Sequence, residues 1–578
     1  MTFFAGRRHM TIGLLVIAVI VLAIWTMRHL PTGKAKQIDI DVLMRRMTLE
    51  QKIGQMVLAG FPGYEAGAEV KTLVEQYHLG GVILMTRNIR DAEQVTRLTQ
   101  KLQMLAGRNG AGIPLFIAVD QEGGYVARIR FDRRYPGNMA LGAARSPDLT
   151  RRVAEAMGRE MRAAGINMNF APVVDVNSNP NNPVIGVRSY GEQPRLVAEL
   201  GAAYVAGLHD AGVVATTKHF PGHGDTAQDS HIALPTVPHE RQRLEQVELY
   251  PFREVIAAGT DAIMTAHVTF PAIEPTAGLP ATLSDKVLTN LLRQELGFSG
   301  LVITDAMEMK AIVNNFGVGE AAVKAVQAGA DIVLVGWPDD WRMAVQVFEA
   351  LTQAARQGMI SPERIDTSLR RILEVKQRFQ LWDEASWALP LTKEQQTQAQ
   401  QISEEAALAA ITLVRDQNKR LPLEKKQRIL VVAPSISGVS AAEDADHPSV
   451  VLADVLRSHL ETVGKISYPS RPDQASITQI VTEAARYDIV VLATYYAWAT
   501  AYSGQVQLVQ DLIAAGREPI VIALREPYDL IKFPSVGTYL AAYSANPETL
   551  AAVAAVLTGK AEAKGLLPVS LPGLYQAP

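Results

Sequence analysis

The chain has 578 residues, 48% of them hydrophobic and 20% charged, so it is a globular protein too long for a single hydrophobic core. Its 56 Lys and Arg against 59 Asp and Glu give a net charge of −3, which argues against nucleic-acid binding through bulk positive charge. The absence of cysteine excludes disulfides, thiolate metal sites, cysteine nucleophiles and cysteine-linked lipid anchors.

The N-terminal segment contains an uncharged apolar run over residues 10–27. As a helix this run spans about 27 Å, close to the thickness of a bilayer core. Arg7 and Arg8 precede it, Trp25 lies near its end, and no small-residue cleavage site follows. We therefore predict a transmembrane signal anchor and linker over residues 1–36, with the remaining chain outside the cytoplasm. A secreted protein with a cleaved signal peptide is the alternative.

Residues 37–385 alternate short β-branched apolar runs with longer amphipathic stretches. Eight strands, with helices such as 91–105, 146–164 and 320–329 between them, are typical of a (β/α)8 barrel. A doubly wound sheet is the alternative, and eight repeats argue against it. The predicted strands are 56–60, 82–86, 115–120, 168–175, 213–219, 262–268, 301–305 and 332–336.

Residues 386–400 include a Gln-rich stretch without a strand signal and predict an interdomain linker, followed by a helix over 402–413. From there to residue 578 the alternation of strands and helices resumes on a smaller scale. This pattern predicts a second, smaller α/β/α sandwich domain over residues 401–578. Its predicted strands are 429–433, 489–493, 520–524 and 539–543, with helices at 450–463 and 547–557.

The densest polar segment is KHFPGHGDTAQDSH, over residues 218–231, directly after the fifth predicted strand. Asp229 and His231 are two positions apart, and in an extended segment such residues point to one side. The carboxylate can then accept a hydrogen bond from the imidazole Nδ1, which leaves Nε2 to transfer a proton. For His223 and Asp225, which lie in the same loop, a structural role is the favoured interpretation.

Asp305 follows the strand Leu301-Val302-Ile303, at the strand end where barrel enzymes place their chemistry. Asp261 stands in a similar string, Thr260-Asp261-Ala262, but precedes its strand and so belongs to the opposite, stability-determining end. We therefore predict Asp305 as a nucleophile and Asp261 as a structural residue.

Five further polar residues fall at or near predicted strand ends on the same face of the barrel. Together they would line a pocket rich in hydrogen-bonding groups, which suits a sugar better than a strongly charged ligand. The histidines and aspartates of the loop lack a metal-binding spacing such as HExxH, and Lys218 would repel a cation, so no metal is predicted. The five residues are Asp120, Arg128, Arg188, Lys218 and His219.

The KHFPGHGDTxxDSH string resembles glycoside hydrolase family 3, in its β-N-acetylglucosaminidase branch. The resemblance covers the barrel in full and extends to the sandwich, which ends in Gly565-Leu566-Leu567-Pro568. It implies that Asp305 is the nucleophile, His231 the general acid/base and Asp229 its partner. It also implies that Asp120, Arg128, Arg188, Lys218 and His219 bind the sugar, and that no cofactor takes part. Because some members consist of the barrel alone, the sandwich is not expected to supply catalytic groups.

The implied reaction is a retaining double displacement that releases a terminal, non-reducing β-linked GlcNAc. Asp305 would attack the anomeric carbon while His231 protonates the leaving oxygen, and His231 would then activate water. The predicted anchor and the family branch together suggest peptidoglycan fragments (GlcNAc-MurNAc) as the carbohydrate substrate. Chitin oligosaccharides are an alternative substrate, and a catalytically inactive wall-binding protein is an alternative from another class. No protein partner can be inferred.

Overall fold

The computed structural model describes residues 37–108, 110–131, 133–336, 340–440, 442–443, 447–448 and 451–578. The predicted membrane anchor, residues 10–27, lies outside these ranges. Within them, no helix combines the length and the apolar character needed to cross a membrane. The membrane anchor therefore stays a prediction.

The first sheet consists of eight short parallel strands. Every residue in them is buried, as expected for a sheet with side chains filling its inside and helices covering its outside. A single parallel bridge between Ile303 and Ile332 joins the two ends of the sheet, so the barrel is nearly closed. In spatial order the strands are β10 (Val333–Val335), β1 (Val57–Ala59), β2 (Gly81–Leu84), β3 (Phe116–Val119), β6 (Met168–Asn169), β7 (Val214–Phe220), β8 (Ala262–Thr265) and β9 (Leu301–Ile303). A hairpin, β4 (Gln121–Gly123) and β5 (Val126–Ala127), follows β3.

The prediction of an eight-stranded barrel is confirmed, and each predicted strand overlaps an observed one. The largest difference concerns the predicted strand 168–175, whose ladder stops at Asn169. Pro172 has no N–H to donate to a neighbouring strand, and only Val173 pairs again, in an isolated bridge to Lys218.

Helices connect the barrel strands, and some of them begin at a residue whose side chain caps the first turn. Helix α6, for example, has Ser146 as its N-cap, whose hydroxyl accepts a hydrogen bond from Leu149 N at 3.2 Å, and Pro147 in its first turn. The helices of this region are α1 (Ile40–Arg46), α2 (Leu49–Gln55), α3 (Ala68–Glu75), α4 (Ala92–Arg108), α5 (Asn138–Ala144), α6 (Pro147–Ala163), α7 (Pro194–Asp210), α8 (Arg241–Gln246), α9 (Leu249–Ala257), a π-helical segment (Lys286–Glu295), α10 (Lys310–Val313), α11 (Val318–Ala328), α12 (Arg342–Arg356) and α13 (Pro362–Arg378).

Buried carboxylates bind the helices to the sheet at the N-terminal end of the barrel. Asp261 accepts hydrogen bonds from Ala215 N (2.9 Å), His209 Nε2 (2.8 Å) and Arg378. Asp331, which precedes β10, binds Arg293 at 2.5 Å as well as other side chains. Asp261 thus has the structural surroundings that its position before β8 predicts.

The second sheet belongs to a smaller α/β domain and contains seven strands. Most neighbours are parallel, but β11 runs antiparallel to β17 and β13 antiparallel to β12. The order is β11 (Thr412–Asp416), β17 (Thr538–Ala541), β16 (Ile520–Ala523), β15 (Ile489–Thr494), β12 (Arg428–Ile436) and β13 (His447–Pro448), with β14 (Thr462–Pro469) also on β12. Its helices are α14 (Lys393–Ala410), α15 (Val451–Leu456), α16 (Gln474–Ala484), α17 (Ser503–Ala514) and α18 (Pro547–Leu557).

The second domain differs from the prediction at its edges. The predicted helix 450–463 ends at Leu456, and the chain then forms β14, an edge strand whose residues are mostly exposed or half-buried. A strand with so few buried residues lacks the continuous apolar run on which the prediction depended. The predicted helix 402–413 extends two residues into β11, which follows α14 directly.

Helix α14 begins at Lys393, inside the segment predicted as a linker. Thr392 and Gln395 form a reciprocal capping box at its start, and the Gln- and Ala-rich sequence that follows has a high helix propensity. The helix packs against α5 and α6 of the barrel and against α18 of the second domain. It therefore connects the two sheets as a packed element.

Candidate active site

The side chains predicted to form the site come together at the carboxyl ends of the barrel strands. Asp120 follows β3, Arg128 follows the β4–β5 hairpin, and Arg188 ends a 3₁₀ turn (Gly186–Arg188). Lys218 and His219 lie near the end of β7, and Asp305 lies just after β9. Parallel strands of a barrel all end on one face, which is why residues so distant in sequence become neighbours.

These residues surround a cleft that opens to solvent at the carboxyl ends of the strands. His231 and Asp305 both border it, although they come from different loops. Asp229 is absent from the lining and lies behind His231. The apolar part of the wall includes Phe170 and Met264, and one residue of the second domain, Ala442, also lines the cleft. The polar lining residues are Asp120, Glu122, Arg128, Arg188, Lys218, His219, His231 and Asp305.

Glu122, for which no role was predicted, lies at the centre of the charged groups. Its carboxylate binds Arg188 through two hydrogen bonds of 2.8 and 2.9 Å, and Lys218 Nζ lies 2.8 Å away. Lys218 Nζ also donates to Asp120 at 2.7 Å. Although burial raises the pKa of Glu122, the two cations outweigh this effect and hold its pKa well below the usual value. Its position two residues after Asp120 was the available sequence signal.

Asp175 is a second carboxylate for which no role was predicted. It is the last residue of the predicted strand 168–175. It is fully buried, and Asp175 Oδ2 lies 2.7 Å from His219 Nδ1 while Oδ1 accepts from His223 N at 2.6 Å. Burial raises the pKa of Asp175, but the combined effect of His219 and His223 is larger and opposite, so the pKa lies below its usual value. The carboxylate orients the His219 ring, with its Nε2 edge available to the cleft.

Asp229 and His231 are in contact, but through a different backbone geometry from the one predicted. Asp229 Oδ1 lies 2.7 Å from His231 Nδ1 and also accepts a hydrogen bond from His231 N at 2.9 Å. Ile232 N and Ala233 N both bind the carbonyl of Asp229, so the segment is a turn and not an extended strand. An Asp side chain that accepts from the backbone N–H two residues later is an Asx turn, which brings the imidazole within reach.

Hydrogen bonds from His231 lower the pKa of Asp229 overall, although burial of the carboxyl acts in the opposite direction and is the larger single effect. Asp229 is therefore ionised at neutral pH and keeps the proton of His231 on Nδ1. Nε2 of His231 is then the atom that can exchange a proton with a ligand.

His223 and Asp225 have the structural surroundings favoured for them. His223 is buried, and its ring nitrogens lie 2.9 Å from Thr226 Oγ1 and 2.8 Å from Ser230 Oγ. Burial lowers the pKa of His223 to about 4, which keeps the ring neutral. Asp225 binds His239. These contacts hold the loop that carries His231.

Asp305 lies half-buried at the base of the cleft, where its Oδ1 accepts a hydrogen bond from Ala306 N at 2.8 Å. Burial raises its pKa, but nearby His267, His219 and His231 reverse the shift, and the pKa is lowered overall. His267, also unnoticed in the sequence, is buried beneath this loop, where its Nε2 donates to Ala306 O at 3.0 Å. Within the described ranges, no group of three or more histidine and acidic side chains is arranged to hold a metal ion.

Comparison with known proteins places this geometry in a family. The model described as "Glycosyl hydrolase family 3 N terminal domain" matches residues 48–375, and the model described as "Glycosyl hydrolase family 3 C-terminal domain" matches residues 411–576. "Beta-hexosaminidase A" of Pseudoalteromonas piscicida is 34% identical over 550 residues, which cover 87% of this chain and 91% of that protein. "Beta-N-acetylglucosaminidase/beta-glucosidase" of Cellulomonas fimi is 29% identical and covers 92% and 95%.

Among solved structures, a glycoside hydrolase family 3 β-N-acetylglucosaminidase from Paenibacillus sp. str. FPU-7 superposes with a TM-score of 0.86 at 43% identity. The match covers 91% of this chain and 99% of that one, so it includes both the barrel and the second domain. The resemblance inferred from the loop after β7 is thus confirmed over almost the whole described chain. The protein belongs to glycosyl hydrolase family 3.

Proposed function

We propose that this family 3 β-N-acetylhexosaminidase releases terminal, non-reducing β-linked GlcNAc by a retaining double displacement. The observation that carries the proposal is that Asp305 and His231, from different loops, border the same cleft. A retaining glycosidase needs a nucleophile and an acid/base on the same glycosidic bond, and these two side chains are suited to those roles.

Asp305 is the proposed nucleophile. Its pKa is lowered, so the carboxylate is ionised at neutral pH and able to attack the anomeric carbon. Among the described residues, no lysine or arginine forms an ion pair with it, whereas Asp120 and Glu122 are paired with Lys218. A carboxylate without a cationic partner is less stabilised as an anion and is therefore the better nucleophile toward the anomeric carbon.

His231 is the proposed acid/base. With its Nδ1 proton directed at Asp229, the ring would give a proton from Nε2 to the departing oxygen and then accept one from water. The negative charge of Asp229 stabilises the protonated ring in the first step. The side chain of His231 is 19% exposed, and it borders the cleft.

The remaining polar residues of the cleft are proposed to bind the sugar. Arg128, Arg188 and Lys218 offer donors, Asp120 offers an acceptor, and the Asp175-bound ring of His219 presents its second nitrogen. Hydroxyl groups and an acetamido group need such a mixture of donors and acceptors around the ring.

The stereochemical course tests the mechanism. We expect hydrolysis of an aryl β-GlcNAc glycoside to release β-GlcNAc first, followed by slow mutarotation, as observed by proton NMR within the first minutes. Release of the α anomer would contradict a double displacement. A complete lack of hydrolysis by the native chain would support the alternative of an inactive wall-binding protein.

For the natural substrate we propose peptidoglycan fragments, with the enzyme held at the extracytoplasmic face of the cell membrane by residues 10–27. The apolar run and its flanking arginines support this location. Rates measured on GlcNAc-MurNAc and on chitobiose at equal concentration compare the two substrate classes. A clear preference for chitobiose would favour the chitin alternative, and recovery of the native protein in a soluble fraction would contradict the anchor.

A further inference from the structure

The second domain contributes directly to the wall of the cleft. Ala442, which follows β12, lines it, and the carbonyl oxygen of Ala442 accepts a hydrogen bond of 2.9 Å from Arg128 Nη2. Arg128 is itself 94% buried, so this contact lies in a region from which water is largely excluded. A backbone carbonyl from one domain thus helps to hold an arginine of the other domain against the cleft.

Glu443, the residue directly after Ala442, belongs to a buried charged triad of the second domain with Arg525 and Glu526. Arg525 Nη1 lies 2.5 Å from Glu443 Oε1, and Arg525 Nε lies 2.8 Å from Glu526 Oε2. All three side chains are at most 2% exposed. Glu443 Oε2 also accepts a hydrogen bond from Val439 N at 3.0 Å.

The other end of the triad reaches a second arginine of the cleft. Glu526 Oε1 accepts a hydrogen bond of 3.0 Å from Val187 N, the residue directly before Arg188. In addition, the Tyr125 hydroxyl donates to Leu524 O at 2.7 Å, and Tyr125 lies three residues before Arg128. The same short stretch of the second domain therefore touches the two barrel loops that carry Arg128 and Arg188.

The energetics of buried charges argue that this triad does more than hold the domains together. Removing three charges from water is costly, and a buried ion pair is often no more stabilising than well-packed apolar side chains. The hydrogen bond from Arg525 Nη1 to Glu443 Oε1, however, has a fixed length and direction, and it restricts the position of the groups around it. Arg525 also lies over the rings of Tyr125 and Tyr496, at 5.6 and 5.0 Å, which restricts its movement further.

We propose that Glu443, Arg525 and Glu526 are positioning residues of the active site, which set Arg128 through Ala442 and Arg188 through Val187. The inference rests on the proposed function, because it assigns Arg128 and Arg188 to sugar binding. It gives the second domain a part in catalysis although that domain supplies no reacting group. The barrel alone lacks the Ala442 carbonyl and the Glu526 carboxylate, so its cleft is incomplete without the second domain.

The test compares the full-length variants Glu443→Ala and Arg525→Met with the native chain on an aryl β-GlcNAc glycoside. We expect kcat/KM to fall about 10- to 100-fold, since small displacements of substrate-positioning groups have effects of this size. The loss should appear mainly in KM and in weaker inhibition by GlcNAc, because the arginines would bind the sugar in the ground state as well as in the transition state.

A matched control is Arg293→Met, which removes a mostly buried partner of Asp331 at the opposite end of the barrel. This variant should lower Tm while leaving kcat/KM within about twofold of the native value. Glu443→Gln keeps the shape and hydrogen-bonding capacity of the side chain and should recover part of the lost affinity. If Glu443→Ala does not fold, Glu443→Gln is compared with the native chain instead, and we expect the same rise in KM with a smaller magnitude.

The double variant Glu443→Ala/Arg525→Met should bind GlcNAc about as weakly as either single variant, because the residues act as a unit. The proposal is overturned if the two single variants keep the native KM, or if Arg293→Met raises KM as much as they do. A native chain that is inactive would overturn the proposed function and this inference together. If only the positioning role is wrong, the native chain is active and the triad variants have the same kcat and KM as the native chain.

Discussion

The two ends of the barrel surround aspartate differently, and Asp305 and Asp261 show this in nearly the same local sequence. Asp261 precedes β8, is 2% exposed and binds His209, Arg378 and a backbone N–H. Asp305 follows β9, is half-buried and binds one backbone N–H through its Oδ1. Asp261 is thus held by three partners from different elements, as suits a structural residue, whereas Asp305 has no arginine or lysine partner among the described residues, as suits the proposed nucleophile.

Replacing each aspartate is the sharpest way to break this comparison. Asp305→Ala should reduce kcat on an aryl β-GlcNAc glycoside by about 10⁴-fold or more, because loss of a nucleophile removes the covalent step. Asp261→Asn should leave kcat close to native but lower the free energy of unfolding by about 3 kcal/mol, through loss of a buried charged partner. Steady-state kinetics and urea unfolding measure the two effects, and an active Asp305→Ala enzyme would invalidate the assignment.

His231→Ala sharpens the comparison from the other side of the cleft. We expect a fall in kcat of about 10²- to 10⁴-fold on a disaccharide, whose leaving group needs a proton, and a much smaller fall on an activated aryl glycoside. Rates on a series of aryl glycosides with leaving groups of different pKa give the measurement. Equal losses along the whole series would show that His231 is not the acid.

Glu122→Gln probes the charged side of the cleft. The variant leaves Arg188 and Lys218 without their buried anion, so the free energy of unfolding should fall by about 3 kcal/mol at pH 7. The folded-state pKa of Glu122 lies below its usual value of about 4.5. The contribution of Glu122 to the free energy of unfolding is therefore complete above about pH 4.5 and declines as the pH falls below it. The difference in Tm between native and variant should therefore narrow on acidification below pH 4.5. A constant difference between pH 3 and 7 would contradict the depressed pKa.

The smallest expected effect concerns the loop that carries His231. The pKa of His223 is about 4 in the folded protein against about 6.5 when unfolded, so the unfolded chain binds the proton first as the pH falls. Native stability should therefore decline from pH 6.5 to pH 4 by about 1–3 kcal/mol through this residue alone. His223→Gln should remove that part of the pH dependence, as measured by urea unfolding at several pH values. An unchanged slope would show that His223 does not titrate as described.

Prediction from sequence succeeded where the local pattern coincides with the tertiary requirement. The eight barrel strands are short runs of β-branched residues, and such runs have few other ways to be buried. The edge strand β14 was missed because it is largely exposed, and helix α14 was assigned partly to a linker because its surface is polar. Both errors come from elements whose formation depends on neighbours more than on their own apolar pattern.

For the site, the order of strand and aspartate predicted different surroundings for Asp305 and Asp261. The spacing of Asp229 and His231 predicted their contact, although the segment is a turn and not extended. The sequence could not reveal Glu122 and Asp175 as the partners of Lys218, Arg188 and His219, since an ion pair depends on distance in space. The contact of Ala442 with Arg128 spans 314 positions and joins two domains.

The amino-acid sequence alone therefore determined the alternation of strands and helices, the end of the barrel that holds the polar groups, and the family of the protein. These features depend on residue type and on spacing along the chain, which are local properties of each segment. Only the tertiary structure decided which charged side chains form ion pairs, which carboxylate has no cationic partner among the described residues, and how the second domain contributes to the wall of the cleft. Those outcomes depend on burial and on distances of a few ångströms between segments that meet only after the chain has folded.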